Sequence, residues 1–282
     1  MSVSAGTIRI LALGDCVGKP GRFALRDGIP YLREHAGVDF VVANVENAAH
    51  GFGVNPKLAQ QLLDYGIDVM TSGDHIRDRR EIDSFLIANE RLLKPINYID
   101  MPGPGVCVVD GPGGVRIGIA NIIGRTFMDD DCGSPLVWAD KAFEMMGDAR
   151  IKLFDLHGEA TSEKVALGWH LDGRASAAWG THTHVQTADE TIRPGGMGYV
   201  TDLGFCGGHL SVLGRIKENV IARQLGSSEA RLEIADGWPQ LDGCIFDVDV
   251  VTGKCVHVER VQHKLYADVE NEVTAEQTTP EE

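Results

Sequence analysis

Apolar residues in this chain come in short, dense runs, and most runs stop at a glycine, an acid or a histidine. Ile8–Gly14 (IRILALG) has the profile of a buried parallel strand, and Asp39–Val45 (DFVVANV) and Ile67–Gly73 (IDVMTSG) repeat it. Between and after these runs, helical spacing predicts helices over Phe23–His35, Pro56–Tyr65 and Arg79–Glu90. Pro30 is expected to kink or split the first, whereas Pro56 suits a first turn and Gly66 follows the helix end. This β-α-β-α-β-α rhythm predicts a parallel sheet with helices on its faces. A hairpin-like pair follows, Val106–Asp110 and Val115–Asn121, and then a helix near Trp138–Ala149. Lys152–Gly158 reads as a strand, Thr161–Leu171 as a helix capped by Thr161, Ser162 and Glu163, and Ala175–Gly180 and Tyr199–Asp202 as strands. Alternation in Arg231–Tyr266 predicts antiparallel strands, giving an α/β domain with a mixed, sandwich-like core over residues 1–266. Residues 267–282 hold six acidic side chains and no basic one, a composition that predicts a disordered tail.

The polar residues that end the apolar runs are the informative ones. Asp15 follows the first strand, Glu46 and Asn47 the second, and Asp74 and His75 the third. His157 closes KLFDLH, and His182 and His184 follow AAWGT. In parallel α/β sheets the ligand crevice lies beyond the carboxyl ends of the strands, so these groups should converge. Together they offer the oxygen and nitrogen donors that suit manganese, iron or zinc. Any one of them alone reads as a satisfied polar residue; five strand ends closing on ligand types predict a metal site.

Charge and composition narrow the partners. The 282 residues include 26 Lys and Arg against 41 Asp and Glu, a formal net charge of −15. That balance argues against duplex DNA or an anionic membrane as partner. No apolar run approaches the roughly 20 residues needed to span a bilayer, and the N-terminus lacks a signal-peptide pattern. The six cysteines show no C-x-x-C spacing, so a reduced, cytoplasmic protein is expected. GDCVGKP has the wrong glycine spacing for a P-loop, and PGPGVCVVDGPGG does not lead into a helix as a dinucleotide fingerprint would. Of the four tryptophans, Trp138, Trp169, Trp179 and Trp238, core positions are favoured.

The blocks GDCVGKPGR, NVENAAHGFG, GDHIRDRREI, GRTF, DLHGEATSEKVALGWHLDGRASAAWGTHTHVQTAD and YVTDLGF resemble those of the calcineurin-like metallophosphoesterases, and within them the YmdB-like bacterial phosphodiesterases. The resemblance implies a four-layer α/β/β/α sandwich with mixed sheets around two divalent ions, iron or manganese ahead of zinc or magnesium. By motif position Asp15, Asn47 and His184 would hold one ion, Asp74, His157 and His182 the other, and Glu46 would bridge them. A hydroxide between the ions would attack phosphorus, with His75 protonating the leaving oxygen. A small cyclic nucleotide such as 2′,3′-cyclic AMP is the implied substrate, and a homo-oligomer, dimer or tetramer, the implied assembly. Arg125 and Arg174 are open between phosphate contacts and structural ion pairs, His50 could support the ligands from behind, and Asp202, Gly207 and Gly208 could line the pocket.

One position departs from the pattern. Where the family block usually reads G-N-H, this chain has Gly73-Asp74-His75. A carboxylate in place of an amide should tighten cation binding and weaken attraction for an anionic substrate. Two other readings therefore stay open: a metal-binding regulatory protein with weak catalysis, and a phosphomonoesterase or nuclease.

Overall fold

A computed structural model describes residues 6–128 and 132–265. In chain order the elements begin β1 (Thr7–Leu13), β2 (Asp15–Cys16), α1 (Gly18–Ala36), β3 (Phe40–Asn44), α2 (Pro56–Asp64), β4 (Val69–Thr71) and α3 (Asp83–Ala88). They continue with β5 (Val106–Asp110), β6 (Arg116–Ile123), α4 (Pro135–Met146), β7 (Ile151–His157), α5 (Thr161–Leu171), β8 (Ala177–Thr181), β9 (Thr191–Ile192) and β10 (Gly198–Val200). The last are β11 (Phe205–Gly208), α6 (Lys217–Gln224), β12 (Pro239–Asp249) and β13 (Cys255–Lys264).

Two mixed sheets result. The first has strand order β2-β11-β12-β1-β3-β4, with β13 paired to β12. Strand β1 runs parallel to β3, with Ile10 opposite Phe40 and Leu13 opposite Ala43, and antiparallel to β12. The second sheet has order β5-β6-β7-β8-β10-β9, parallel from β6 to β10 with antiparallel strands at both edges. Side chains alternate between faces along each strand, and the burial follows that period. Leu11, Leu13, Val41 and Ala43 point to α1 and α2 and pack with Leu25, Ile29 and Leu62. Ile10, Ala12 and Val42 point the other way, onto Ile117, Leu153 and Trp179 of the second sheet. On the far side, Ile122, Phe154 and Leu156 pack under Ala142, Met146 and Leu167 of α4 and α5. Three cores separate four layers, so the α/β/β/α sandwich is the observed architecture.

Several elements differ from the pattern-based expectation. Helix α1 starts at Gly18 and runs unbroken through Pro30, whose ring is exposed. Its early turns face the sheet through glycines, which give no apolar period: a Cβ on Gly21 would stand 2.4 Å from the Cys206 carbonyl oxygen. The predicted helix over residues 79–90 is instead the 3₁₀ turn Arg80–Ile82 followed by the short α3, with a further 3₁₀ turn, Asp74–Asp78, ahead of them. Helix α6, which buries no residue, had no periodic signature. Thr161, Ser162 and Glu163 do not cap α5, which has Ala160 at its N-cap without a side-chain bond. All six cysteines are buried, and none of them forms a disulfide. Only Trp179 is a core tryptophan; Trp169 and Trp238 are exposed. The tail at 267–282 lies outside the described residues.

Candidate metal centre

The carboxyl ends of β1, β3, β4, β7 and β8 bring their polar residues to one point between the sheets. Ligand atoms of Glu46, Asp74, His157 and His182 all lie within 4.8 Å of one another. His157 Nε2 is 3.1 Å from Asp74 Oδ1 and 3.3 Å from Glu46 Oε1. His182 Nδ1 is 3.1 Å from His157 Nε2 and 3.4 Å from Asp74 Oδ1. A second group adjoins the first. Asn47 Nδ2 donates to Glu46 Oε1 at 3.1 Å and lies 3.4 Å from His184 Nε2, which is 4.0 Å from Asp15 Oδ1. Glu46 Oε1 thus touches both groups. All seven predicted ligands converge, each at a strand end or within three residues beyond it.

The donor set fits divalent cations. Asp15 is fully buried, and its Oδ1 has no hydrogen-bond partner. An orphaned carboxylate oxygen is costly to bury unless a cation answers it. Two imidazole nitrogens facing each other and two carboxylates across 3.1–3.4 Å bring together the donor types that hold a divalent ion.

Electrostatics report the same concentration of negative charge. Burial raises the Asp15 carboxyl above its ordinary range, partly offset by His184. Burial also acts to raise Asp74, but hydrogen bonding to His157 and His182 holds it well below the usual carboxylate range. For His157, burial would lower the imidazole; the charge of Glu46 and the bond to Asp74 override it and raise the ring well above 6.5.

Residues behind the ligands fix their orientation. Thr181 Oγ1 donates to Asp155 Oδ1 at 2.7 Å and lies 2.9 Å from His157 Nδ1. With its hydrogen committed to Asp155, this oxygen accepts from Nδ1–H, which leaves Nε2 of His157 as the ligand nitrogen. Thr71 Oγ1 donates to the other Asp155 oxygen, and burial pushes this carboxyl up to about 6. Asn44 Oδ1 accepts the Glu46 backbone N–H at 3.1 Å. Glu159 Oε2 stands 3.4 Å from His182 Nε2, turning Nδ1 toward the cluster.

The turn holding His182 and His184 is strained, with φ of 99° and 59° at the two histidines. It is over-determined by its neighbours. The His182 N–H donates to Asp15 Oδ2 at 3.0 Å, and Asp202 Oδ2 accepts from the Thr183 N–H, from Thr183 Oγ1 and from Lys164 Nζ. Lys164 and Asp202 are both buried at a 2.7 Å separation. Asp202 is therefore a buried brace for the turn, not a pocket wall. Asp155, Thr181, Glu159 and Lys164 are not legible as site residues in the pattern; the polar Asp155 and Lys164 within apolar elements are the one signal.

Beside the cluster opens a cavity of about 450 Å³ lined by Phe52, Asp74, His75, Arg77, Asp78, Phe127, Met128 and His182. His75 Nδ1 is 2.9 Å from Asp78 Oδ2, and its backbone N–H donates to Glu46 Oε2 at 3.1 Å. Arg77 stacks over Tyr98 at 3.9 Å and pairs with Asp100 at 2.7 Å. Other candidates lie elsewhere. Arg174 pairs with Asp140 at 2.8 Å and lies over Phe143, so its role is structural. His50 is exposed and lines a different groove with Lys19 and Phe23. Arg125 is exposed; its backbone, with that of Thr126, is held by Glu163. Gly208 packs on the Ala235 carbonyl rather than on the cavity. Among the described residues no helix is long and apolar enough to cross a membrane.

Relatives share the whole length of this arrangement. The 2′,3′-cyclic-nucleotide 2′-phosphodiesterase of Bacillus subtilis (strain 168) is 40% identical over 258 residues, covering 90% of this chain and 96% of its own. A hypothetical protein from Thermus thermophilus superposes with a TM-score of 0.84 at 34% identity, covering 91% of this chain and 99% of its own. A novel phosphatase from Mycoplasma pneumoniae superposes at 0.85 and 30% identity, covering 92% and 94%. With the YmdB-like protein family matching residues 11–261 as well, this chain belongs to that family.

Proposed function

We propose that the protein is a phosphodiesterase that needs two divalent ions and hydrolyses small cyclic nucleotides, 2′,3′-cyclic AMP or a close analogue. The observation that supports this most directly is the convergence of Glu46, Asp74, His157 and His182 within 4.8 Å at the edge of a cavity that also holds His75. The 40% identical relative named a 2′,3′-cyclic-nucleotide 2′-phosphodiesterase supports the substrate class.

Asp15, Asn47 and His184 would hold one ion, Asp74, His157 and His182 the other, and Glu46 both. The nitrogen and carboxylate donors suit iron, manganese or zinc, and the family resemblance puts iron or manganese ahead of zinc or magnesium. When bound, such ions supply Lewis acidity at the phosphoryl oxygens and a water acidic enough to attack phosphorus. The chain's own residues do the rest. Asp155 and Thr181 keep His157 in the tautomer that points Nε2 at the cluster. His75, oriented by Asp78 through Nδ1, presents Nε2 as the donor that protonates the leaving oxygen.

Manganese-loaded protein should hydrolyse 2′,3′-cyclic AMP, and chelator-stripped protein should not. Two ions per chain without cleavage of any phosphodiester would overturn the reading. That outcome would favour the second reading, a metal-binding regulatory protein, for which the extra carboxylate of Asp74 is the specific observation.

A further inference from the structure

We infer that Phe127 is a stacking platform for the base of a nucleotide substrate, an inference that rests on the phosphodiesterase reading above. The cavity beside His75 is lined by the polar groups Asp74, His75 and His182 and also by the aromatic side chain of Phe127. Phe127 is 83% exposed, and its backbone has φ 63°, a conformation unfavourable for a bulky residue. Such strain persists where surrounding structure imposes it.

Here the imposing group is identifiable. Glu163 Oε2 accepts the backbone N–H groups of Arg125 at 2.9 Å and Thr126 at 3.2 Å, and the Met128 N–H donates to the Arg125 carbonyl at 3.3 Å. Gly124 leaves room for that carboxylate: a Cβ there would stand 2.4 Å from Glu163 Oε2. The GRTF loop is thus anchored immediately before Phe127 and presents its ring to the cavity. The other aromatic wall is already engaged. Arg215 lies 4.5 Å over the Phe52 ring, and His75 meets that ring edge-on at 5.1 Å. Among the described residues, no ring or cation covers Phe127.

An apolar, planar face held in water on a cavity that also carries polar, ligand-type side chains matches the division of a nucleoside cyclic phosphate into charged and aromatic ends. Stacking suits any base, because every base offers a π face, so Phe127 would favour nucleotides over base-free diesters without choosing among bases strongly.

The test compares kcat/KM for 2′,3′-cyclic AMP with that for methyl riboside 2′,3′-cyclic phosphate, which lacks the base. In Phe127→Ala the ratio of the two should fall about tenfold, and Phe127→Trp should restore it. An unchanged ratio, including one where both substrates lose equally, would overturn the platform. Calorimetric titration of adenosine 3′-monophosphate and of inorganic phosphate into manganese-loaded protein reads the same subsite without turnover. Phe127→Ala should weaken the nucleotide about tenfold relative to phosphate; equal weakening would overturn the platform. Failure of the wild type to cleave either diester would sink the phosphodiesterase reading instead, and the titration would still decide for or against Phe127.

Discussion

A Cβ at position 73 would fall 2.1 Å from His157 Nε2, the nitrogen that faces the cluster. It would also stand 2.3 Å from Glu46 Oε2. Gly73 has no need of left-handed backbone; what it supplies is space for two ligand atoms. Gly73→Ala should therefore displace His157 and Glu46 and lower manganese affinity at least tenfold, on the order of 1.4 kcal/mol. Metal content after dialysis against buffered manganese, with far-UV circular dichroism as the fold control, checks this. Wild-type affinity in the variant would mean that the backbone retreats and the glycine is incidental.

Asp74 stands where the family resemblance leads to the expectation of an asparagine. Its Oδ1 is within 3.4 Å of both His157 and His182, so its charge acts directly on the cluster. Asp74→Asn should weaken manganese binding about tenfold through loss of a charged ligand, and raise turnover per loaded site by removing repulsion of the substrate. Affinity and turnover measured on the same preparations separate the two effects. An unchanged affinity would show that the carboxylate's charge adds nothing to cation binding over an amide oxygen at this position.

Much of this site was legible from residue order alone, because in a parallel sheet the carboxyl end of each strand is a fixed place. Asp15, Glu46, Asp74 and His157 could be assigned to one edge of the fold once their strands were recognised. What residue order does not disclose is which strands become neighbours and which distant segments meet. Thr181 supports His157 only because β7 and β8 are neighbours with His157 opposite Thr181. Likewise Glu163, read as a helix cap, spends its carboxylate on a loop 37 residues away. Helix α1 was underestimated for a different reason: it packs through glycines, and hydrophobic periodicity is blind to them.

The pair Lys164–Asp202 links that hidden framework to stability. Both side chains are buried, and the carboxylate braces the Thr183 turn between His182 and His184. Lys164→Met would leave a buried charge without its cation, which costs about 3–5 kcal/mol. Urea denaturation should show a loss of that size, and Lys164→Met with Asp202→Asn together should lose less than the sum of the single changes. Metal affinity should drop in the single variant too, since the turn is strained. A loss below about 1 kcal/mol would show that the pair is screened after all.

His75 meets Glu46 through its backbone N–H, and its ring comes no nearer to Asp74 Oδ2 than 3.9 Å, so its side chain can be removed with the ligand groups left in place. His75→Ala should reduce turnover by about 10²–10⁴ while leaving two ions per chain. Equal loss of metal and turnover would place His75 among the supports of the site rather than at the leaving oxygen.

Proton competition gives the last prediction. Glu46 and Asp74 raise His157 well above 6.5 against the lowering effect of burial, so near neutral pH the ring of the metal-free protein holds a proton. A cation must displace it. Apparent manganese affinity should then rise with pH, by up to about tenfold per unit for one displaced proton, until the folded-state value is passed. The sign for stability is opposite in the metal-free protein. A raised histidine contributes stability fully below its unfolded value of 6.5, and that contribution is lost as pH climbs through the folded value. Chelator-treated protein should therefore lose this increment as pH rises above 6.5, while manganese protects loaded protein increasingly over the same span. Competition titrations at several pH values, repeated in buffers of different ionisation enthalpy, count the released proton. Affinity independent of pH, with no proton released, would show that His157 is already neutral and that the acidic cluster does not hold it charged.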